Sequence, residues 1–258
     1  MNQSMINLKA NTMEQKTIPG IMYVKNKLWI LIIMSATLMV TAVFSGCKKN
    51  HDKKPQCEIT SVISPLLGDT YLLLYDINKQ LKRVTFGANI TTYEHTPGRT
   101  IVTSLQAATF LSKTIITLNP SGLAINERIE NNDTGTDWVN NAYEYNGEEL
   151  IKSTQTTSAG GNPDIVTYTW ANQNMRSATS ISGTTVFDYY TDKPRQAGDF
   201  LSLVQLIQGY EIYRTKNLIK NYGGSIFSYE FGSDGNISSV KVTSGTSTSF
   251  IDYQYQCN

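Results

Sequence analysis

The sequence contains few of the side chains that most often carry catalysis or bind metals. Its 258 residues include two histidines and three cysteines, and charged residues make up 17%, against roughly 25% in an average globular chain. Neither a Gly-x-Ser-x-Gly nor a Cys-x-x-Cys motif occurs, so no serine-hydrolase elbow or zinc site is indicated. The net charge of +1 lacks the basic excess typical of nucleic-acid-binding proteins. We therefore expect no cofactor, no metal and no nucleic-acid partner.

A short apolar segment near the N-terminus is typical of a bacterial export signal. Lys25 and Lys27 precede an apolar run from 28 to 43, which ends in Phe44-Ser45-Gly46-Cys47. About 16 residues is short of the ~20 that a spanning helix needs, and small residues before a cysteine suit signal-peptidase cleavage. We interpret residues 1–46 as a lipoprotein signal segment, with Met22 as an alternative start, and Cys47 as the lipidated residue. A transmembrane anchor with an unmodified Cys47 is the alternative interpretation.

The residues after Cys47 divide into a tether and a domain. Residues 47–56 are polar and mainly basic, which is typical of a solvated linker that can also contact anionic lipids. Residues 57–258 are expected to form a single β-rich domain. From residue 55 onward the chain has 14 Lys and Arg against 19 Asp and Glu, a net charge of −5. We expect a monomer in the cell envelope, attached to the outer membrane through the lipid on Cys47. The sequence is compatible with attachment to either the periplasmic or the surface face of that membrane.

Two cysteines remain once Cys47 is assigned to the lipid. Cys57 opens the predicted domain and Cys257 is the penultimate residue. An even number of cysteines in an oxidising compartment usually pairs, so we predict a Cys57–Cys257 disulfide. Because the two Cα atoms of a disulfide lie within ~7 Å, the first and last strands would be neighbours in a curled or closed sheet. Two free thiols and a metal site are the alternatives.

The domain repeats one pattern, an alternating strand, a polar turn and a second alternating strand. Clear copies run from 73 to 84, from 143 to 150 and from 229 to 242. Asp76, Asn146 and Asp234 stand in the turns, where such side chains cap their own backbone, so we interpret them as turn residues and not as ligands. Hairpins in series predict an all-β antiparallel meander, curled or barrel-like.

One segment has helical instead of alternating periodicity. Phe200, Leu203, Val204 and Ile207 recur at the spacing of one helix face, between Asp199 as a candidate N-cap and Gly209 as a candidate stop. This predicts one short helix near 199–208, whose apolar side covers an open end of the sheet.

The chain resembles uncharacterised lipoproteins of Bacteroidetes whose domain of unknown function consists of hairpins distantly similar to YD repeats. The resemblance is carried by the motif that ends at Cys47, the Tyr-x-Tyr-x-x-Asp-Gly type of hairpin, the segment 187–194 and the terminal Tyr253-Gln-Tyr255-Gln-Cys257. It implies an envelope protein built of hairpins and no catalytic residues. The basic run after Cys47 departs from the acidic one that surface-exported lipoproteins of such bacteria tend to carry.

Three functions are compatible with these features. The first is a non-catalytic binding or scaffold module for glycans or envelope proteins, because exposed aromatic residues would offer stacking faces; Trp138 and Trp170 are the binding candidates. The second is a carrier of an apolar ligand inside a β-barrel. The third is a glycoside hydrolase with two carboxylates. The available glutamates for the third are Glu58, Glu94, Glu144, Glu211 and Glu230. His95 is expected to be exposed in a loop.

Overall fold

The computed structural model of the protein describes residues 57–66 and 68–257. The predicted signal segment, Cys47 and the tether lie outside the described residues. Sixteen strands and one helix make up the described part. In chain order they are β1 Cys57–Ser64, β2 Asp69–Tyr75, β3 Leu81–Phe86, β4 Asn89–Thr96, β5 Arg99–Gln106, β6 Thr109–Leu118, β7 Ala124–Glu130, β8 Trp138–Asn146, β9 Glu149–Thr157, β10 Asp164–Ala171, β11 Asn174–Ser180, β12 Gly183–Pro194, α1 Phe200–Gln208, β13 Asn217–Tyr222, β14 Ser225–Phe231, β15 Ile237–Ser244 and β16 Ser247–Cys257.

The strands form one closed antiparallel barrel. Each strand pairs with the strands before and after it in the chain, and β1 closes the barrel against β16. In this seam Cys57 lies opposite Cys257 and Val62 lies opposite Tyr253. The prediction of an all-β hairpin meander with one short helix is confirmed, and the sheet closes completely. Among the described residues, no helix is both long and apolar enough to cross a membrane.

The inner face of the barrel wall holds the core. Successive side chains of a strand point to opposite faces, so in β16 Ile251 and Tyr253 are buried while Phe250 and Asp252 are exposed. The buried positions of strands all around the barrel join into one cluster of aliphatic and aromatic side chains. This cluster occupies much of the interior.

The outer face is rich in charged side chains that pair across neighbouring strands. Lys152 Nζ lies 2.7 Å from Glu144 Oε1 on β8, and Lys113 Nζ lies 3.9 Å from Glu130 Oε2 on β7. Between β11 and β12, Arg176 lies 3.6 Å from Asp188. Exposed pairs of this kind contribute about 0–1 kcal/mol each. The same face also carries exposed aliphatic side chains, such as Leu72, so it is a mixed surface and not uniformly polar.

The helix α1 packs against the core from inside one end of the barrel. Leu201, Leu203 and Gln205 are its buried residues, and the ring of Phe200 lies 4.8 Å from that of Phe227. Of the predicted stripe, Leu203 is buried and Phe200, Val204 and Ile207 are half-buried, while Leu201 and Gln205 outside the stripe are buried as well. The helix is therefore covered on more than one side.

Gly209 ends the helix because no other residue fits there. Its φ of 85° lies in the left-handed region, and its N–H donates to the carbonyls of Gln205 and Leu206. A Cβ atom at this position would lie 2.4 Å from the Tyr93 ring, which is far inside van der Waals contact. The Tyr93 hydroxyl donates to the Ile207 carbonyl, so the end of the helix is fixed against β4.

In the hairpin turns, the acidic turn residues bond the backbone of their own turns, as predicted. Asp76 Oδ1 accepts hydrogen bonds from the N–H groups of Asn78 and Gln80, at 2.8 and 2.9 Å. Asp234 Oδ1 accepts one from the Asn236 N–H at 3.0 Å. Turns without glycine also use positive φ angles, as at Lys79 (63°) and Asn172 (53°).

The β5–β6 turn offers a stabilising substitution. Ala107 and Ala108 are exposed and have φ angles of 47° and 68°, a left-handed conformation that costs a non-glycine residue roughly 1–2 kcal/mol. Asn-Gly is the preferred pair for such a turn. We expect Ala107→Asn with Ala108→Gly to raise the free energy of unfolding by about 1 kcal/mol in urea denaturation. The matched control is Ala159→Gly, at an exposed turn residue without positive φ. This substitution should slightly lower the free energy of unfolding.

Candidate functional site: an apolar groove at the disulfide end

One end of the barrel carries both ends of the described chain, and we call it the disulfide end. There the Sγ atoms of Cys57 and Cys257 are bonded at 2.00 Å, with the Cα atoms 4.0 Å apart. The predicted pairing and the neighbouring first and last strands are confirmed. The turn 76–80 and the segment 195–216, which contains α1, lie at the same end. The Asp234 carboxylate lies close to both sulfur atoms, but the sulfurs are bonded to each other and are not free to bind a metal.

Aromatic side chains hold the rim of this end together. Tyr75, at the end of β2, donates its hydroxyl proton to the Ile59 carbonyl of β1 at 2.9 Å. The same bond to the preceding strand recurs in three further hairpins, from Tyr145 to Ala124, from Trp170 to Leu150 and from Tyr255 to Ile237. Each bond satisfies a carbonyl beside a turn. The aromatic residues of the sequence repeat are therefore structural.

A groove of about 550 Å³ opens at the disulfide end, between α1 and the strands β1, β3 and β4. Such a volume lies within the range of small-molecule sites, about 300–1,000 Å³. The walls are contributed by the starts and ends of strands, by the helix and by the segments on both sides of it. The lining residues are Ile59, Gln80, Leu81, His95, Arg195, Gln196, Ala197, Gly198, Ser202, Leu203, Gln205, Leu206, Gly209, Tyr210 and Glu211.

His95 lies on the groove wall with both ring nitrogens bonded. Nε2 lies 2.8 Å from the Leu81 carbonyl and Nδ1 lies 3.1 Å from Thr100 Oγ1. Because a carbonyl can only accept, Nε2 is the donor in the first of these hydrogen bonds. The expectation of an exposed loop histidine is wrong: His95 is half-buried in β4, where alternation turns it inward next to Tyr93.

Arg195 and Glu211 form a rigid pair at the edge of the groove. Arg195 donates to Glu211 Oε1 and to Ser202 Oγ, both at 2.7 Å, and Arg214 Nε donates to Glu211 Oε2 at 2.6 Å. Burial opposes ionisation of Glu211, but the hydrogen bonds and charges of the two arginines outweigh it and lower the pKa of this carboxyl. The carboxylate is therefore kept ionised and is not an acid catalyst.

The polar groups beneath the helix are bonded to each other as well. Gln205 Oε1 accepts from the Ile212 N–H at 2.7 Å, and Gln205 Nε2 donates to the Tyr213 carbonyl at 3.2 Å. The Tyr210 hydroxyl donates to Glu127 Oε1, and burial together with the Glu127 charge raises the pKa of Tyr210 well above its usual value. What the groove presents to a ligand is therefore mainly aliphatic side chains and one tyrosine ring.

The carboxylates proposed for a hydrolase are distributed over separate elements. Glu58 lies on β1 beside Lys79, Glu144 on β8 pairs with Lys152, and Glu211 is held by two arginines. Glu94 and Glu230 are exposed, on β4 and β14.

The buried carboxylates among the described residues are Glu127 and Asp199, which the sequence did not single out as catalytic candidates. Glu127 Oε2 accepts from Asn141 at 2.7 Å and from Tyr143 at 2.8 Å. In a strand whose side chains alternate between two faces, the sequence alone does not show whether a glutamate faces the barrel interior or the outside. That becomes clear only when the pairing register of the strand is known.

The two tryptophans proposed for binding lie in different surroundings. Trp170 packs against the core and donates its indole N–H to the Leu150 carbonyl at 2.7 Å. Trp138 lies on the outer face, half-buried, with the Arg128 guanidinium 4.8 Å above its ring. Neither lines the groove. The groove was missed because its residues come from separate parts of the chain. Leu81, Leu203 and Gly209 belong to patterns that the sequence made visible, but nothing in the sequence shows that they meet.

Comparison with known proteins identifies the fold. A porin-like protein from Bacteroides uniformis superposes with a TM-score of 0.54 over 77% of this chain and 98% of its own, at 15% identity. A porin-like protein from Bacteroides vulgatus gives the same TM-score and coverage at 12% identity. No family model and no curated protein matches the chain. The barrel is thus shared with these proteins, while the resemblance to YD-repeat lipoproteins stays a prediction.

Proposed function

We propose that the protein is a non-catalytic binding module of the cell envelope, tethered by a lipid on Cys47, that holds a small apolar ligand in the groove at the disulfide end. The groove itself is the observation that supports this proposal. Its accessible aliphatic lining consists of the half-buried Leu206 and the exposed Ala197. Polar side chains around them, such as Arg195 and Gln205, are already bonded within the protein. A ligand would therefore gain mainly from the burial of apolar surface, about 25 cal/mol per Å².

The surroundings of the aromatic residues favour this function over glycan stacking. In residues 57–257 no tyrosine is exposed, since each is either buried or half-buried. Many of their hydroxyls donate to backbone carbonyls inside the barrel, as Tyr75 and Tyr190 do. A sugar ring needs an open aromatic face. Trp138 has one face covered by Arg128, and the exposed aromatic side chains of the described residues are Phe231 and Phe250, neither of which lines the groove.

The packed interior argues against an open pore through the outer membrane. Transmembrane barrels have an apolar band outside and a polar interior. In this barrel an aliphatic and aromatic cluster lies inside, while the outer face carries both ion pairs such as Lys152–Glu144 and exposed apolar side chains such as Leu72 and Leu74. The likeness to porin-like proteins supports a common barrel geometry.

The test is a titration of residues 55–258 with the uncharged dye N-phenyl-1-naphthylamine, followed by fluorescence. This segment contains the complete barrel, its core and its disulfide. Ala197 is exposed at the groove, so Ala197→Trp should fill the space and weaken dye binding at least tenfold. Ala159→Trp, at an exposed turn of the opposite end, should leave the affinity within a factor of two.

Two results would contradict the proposal. One is a wild-type protein that does not raise the dye fluorescence, and the other is equal weakening by both tryptophan substitutions. Thermal melts of the variants show whether each is folded, so that loss of binding can be separated from loss of structure.

A further inference from the structure

The groove and the start of the barrel lie at the same end. Ile59, which lines the groove, is two residues from Cys57, and the Cys57–Cys257 bond fixes that strand at the rim. The chain upstream is covalently joined to Cys57, so an anchor on it is attached to the barrel at the end at which the groove opens.

The length of the tether is short compared with the barrel. Nine residues separate Cys47 from Cys57. Fully extended, they reach at most roughly 35 Å. Strands of about eight residues, such as β4 and β5, put the opposite end roughly 26 Å farther along an untilted strand. A lipid on Cys47 would therefore keep the groove closer to the bilayer than the opposite end.

The tether and the groove rim have chemistry that suits this orientation. Lys48, Lys49, Lys53 and Lys54 in the tether would be attracted to anionic head groups. The groove walls that face this side are aliphatic, with Leu206 half-buried on α1 and Ala197 exposed at the rim. An apolar groove held next to a bilayer has one abundant apolar ligand within reach, which is the acyl chain of a lipid.

We infer that the groove takes up the acyl chain of a bilayer lipid, with the disulfide end of the barrel turned toward the membrane. This inference rests on the proposed function and names its ligand class. The head group would stay at the rim, near Arg195 and Gln196, while the chain lies between α1 and β1.

The experiment is photocrosslinking of the full-length, lipidated protein in intact envelopes, followed by mass spectrometry of the adducts. The photoreactive residue p-benzoylphenylalanine replaces Ala197 in one variant and Ala159, at the opposite end, in the matched control. We expect acyl-lipid adducts at position 197 to exceed those at position 159 at least fivefold. Adding Leu206→Trp, which narrows the groove, should reduce the adduct at 197 at least fivefold.

Three outcomes would overturn the inference. They are equal lipid adducts at both positions, adducts at 197 with envelope proteins only, and an adduct in which residue 197 is joined to the lipid on Cys47 of the same chain. Each of these outcomes would refute the acyl chain as the ligand. The proposed binding function would still stand if the dye binds the isolated barrel and Ala197→Trp weakens that binding.

Discussion

Replacing both Cys57 and Cys257 with serine is expected to lower the free energy of unfolding by about 3–5 kcal/mol. The bond closes a loop with a sequence separation of 200, and in the chain-entropy model a loop of that length contributes about 5 kcal/mol. The bond also joins β1 to β16, the pair that closes the barrel. For a domain of about 200 residues, such a loss corresponds to roughly 10–15 °C in Tm. Urea denaturation and calorimetry measure both quantities.

Reduced wild-type protein provides the control for this substitution. With a reductant present, its unfolding midpoint should fall to that of the double serine variant, which the reductant should leave unchanged. If the variant unfolds at the same urea concentration as the oxidised wild type, the disulfide contributes nothing to closure and the native pairing of β1 with β16 is sufficient.

The second large effect is expected at Asp199. Its carboxylate is completely buried before α1, where Oδ1 accepts from the Ile219 N–H at 3.1 Å and from the Tyr229 hydroxyl at 2.7 Å. Asp199→Ala leaves the buried Ile219 N–H without its acceptor, which costs about 1–3 kcal/mol for one donor, and also removes packed atoms. We expect a total loss of roughly 2–4 kcal/mol in urea denaturation at pH 7.

The same carboxyl makes the stability depend on pH. Burial raises the pKa of Asp199 above its ordinary value of 3.8, although the hydrogen bonds from Tyr229 and Ile219 oppose this shift. Between 3.8 and the raised value the folded state binds more protons than the unfolded state, so the free energy of unfolding falls as pH rises through this window and is level above it.

Asp199→Asn is uncharged at every pH and should not show this dependence. The wild type should therefore gain stability relative to Asp199→Asn as the pH is lowered through this window. Asp164→Asn, at an exposed carboxylate, is the control and should follow the wild type. A parallel pH dependence in wild type and Asp199→Asn would assign the effect to other groups.

Local chemistry made the hairpins, the helix and the disulfide predictable from the sequence. The turns at Asp76 and Asp234 follow from side chains that bond their own backbone, and α1 follows from apolar spacing between Asp199 and Gly209. The groove was not predictable, because it joins Ile59, Leu81 and Leu206 from segments far apart in the chain. His95 shows the same limit: its burial depends on which face of β4 turns inward, and that is decided by the pairing of the strands.

The seam between β1 and β16 also determines when the barrel can be completed. Every other wall contact joins strands that are consecutive in the chain, so hairpins can form as soon as each pair has been synthesised or exported. The β1–β16 pairing joins the two ends of the domain and has by far the largest sequence separation. Pairings of this kind form slowly, since a long loop must be closed first. A chain that stops before Ser247 would therefore leave two unpaired strand edges, and closure must wait until the last strand, of eleven residues, is available to pair with β1.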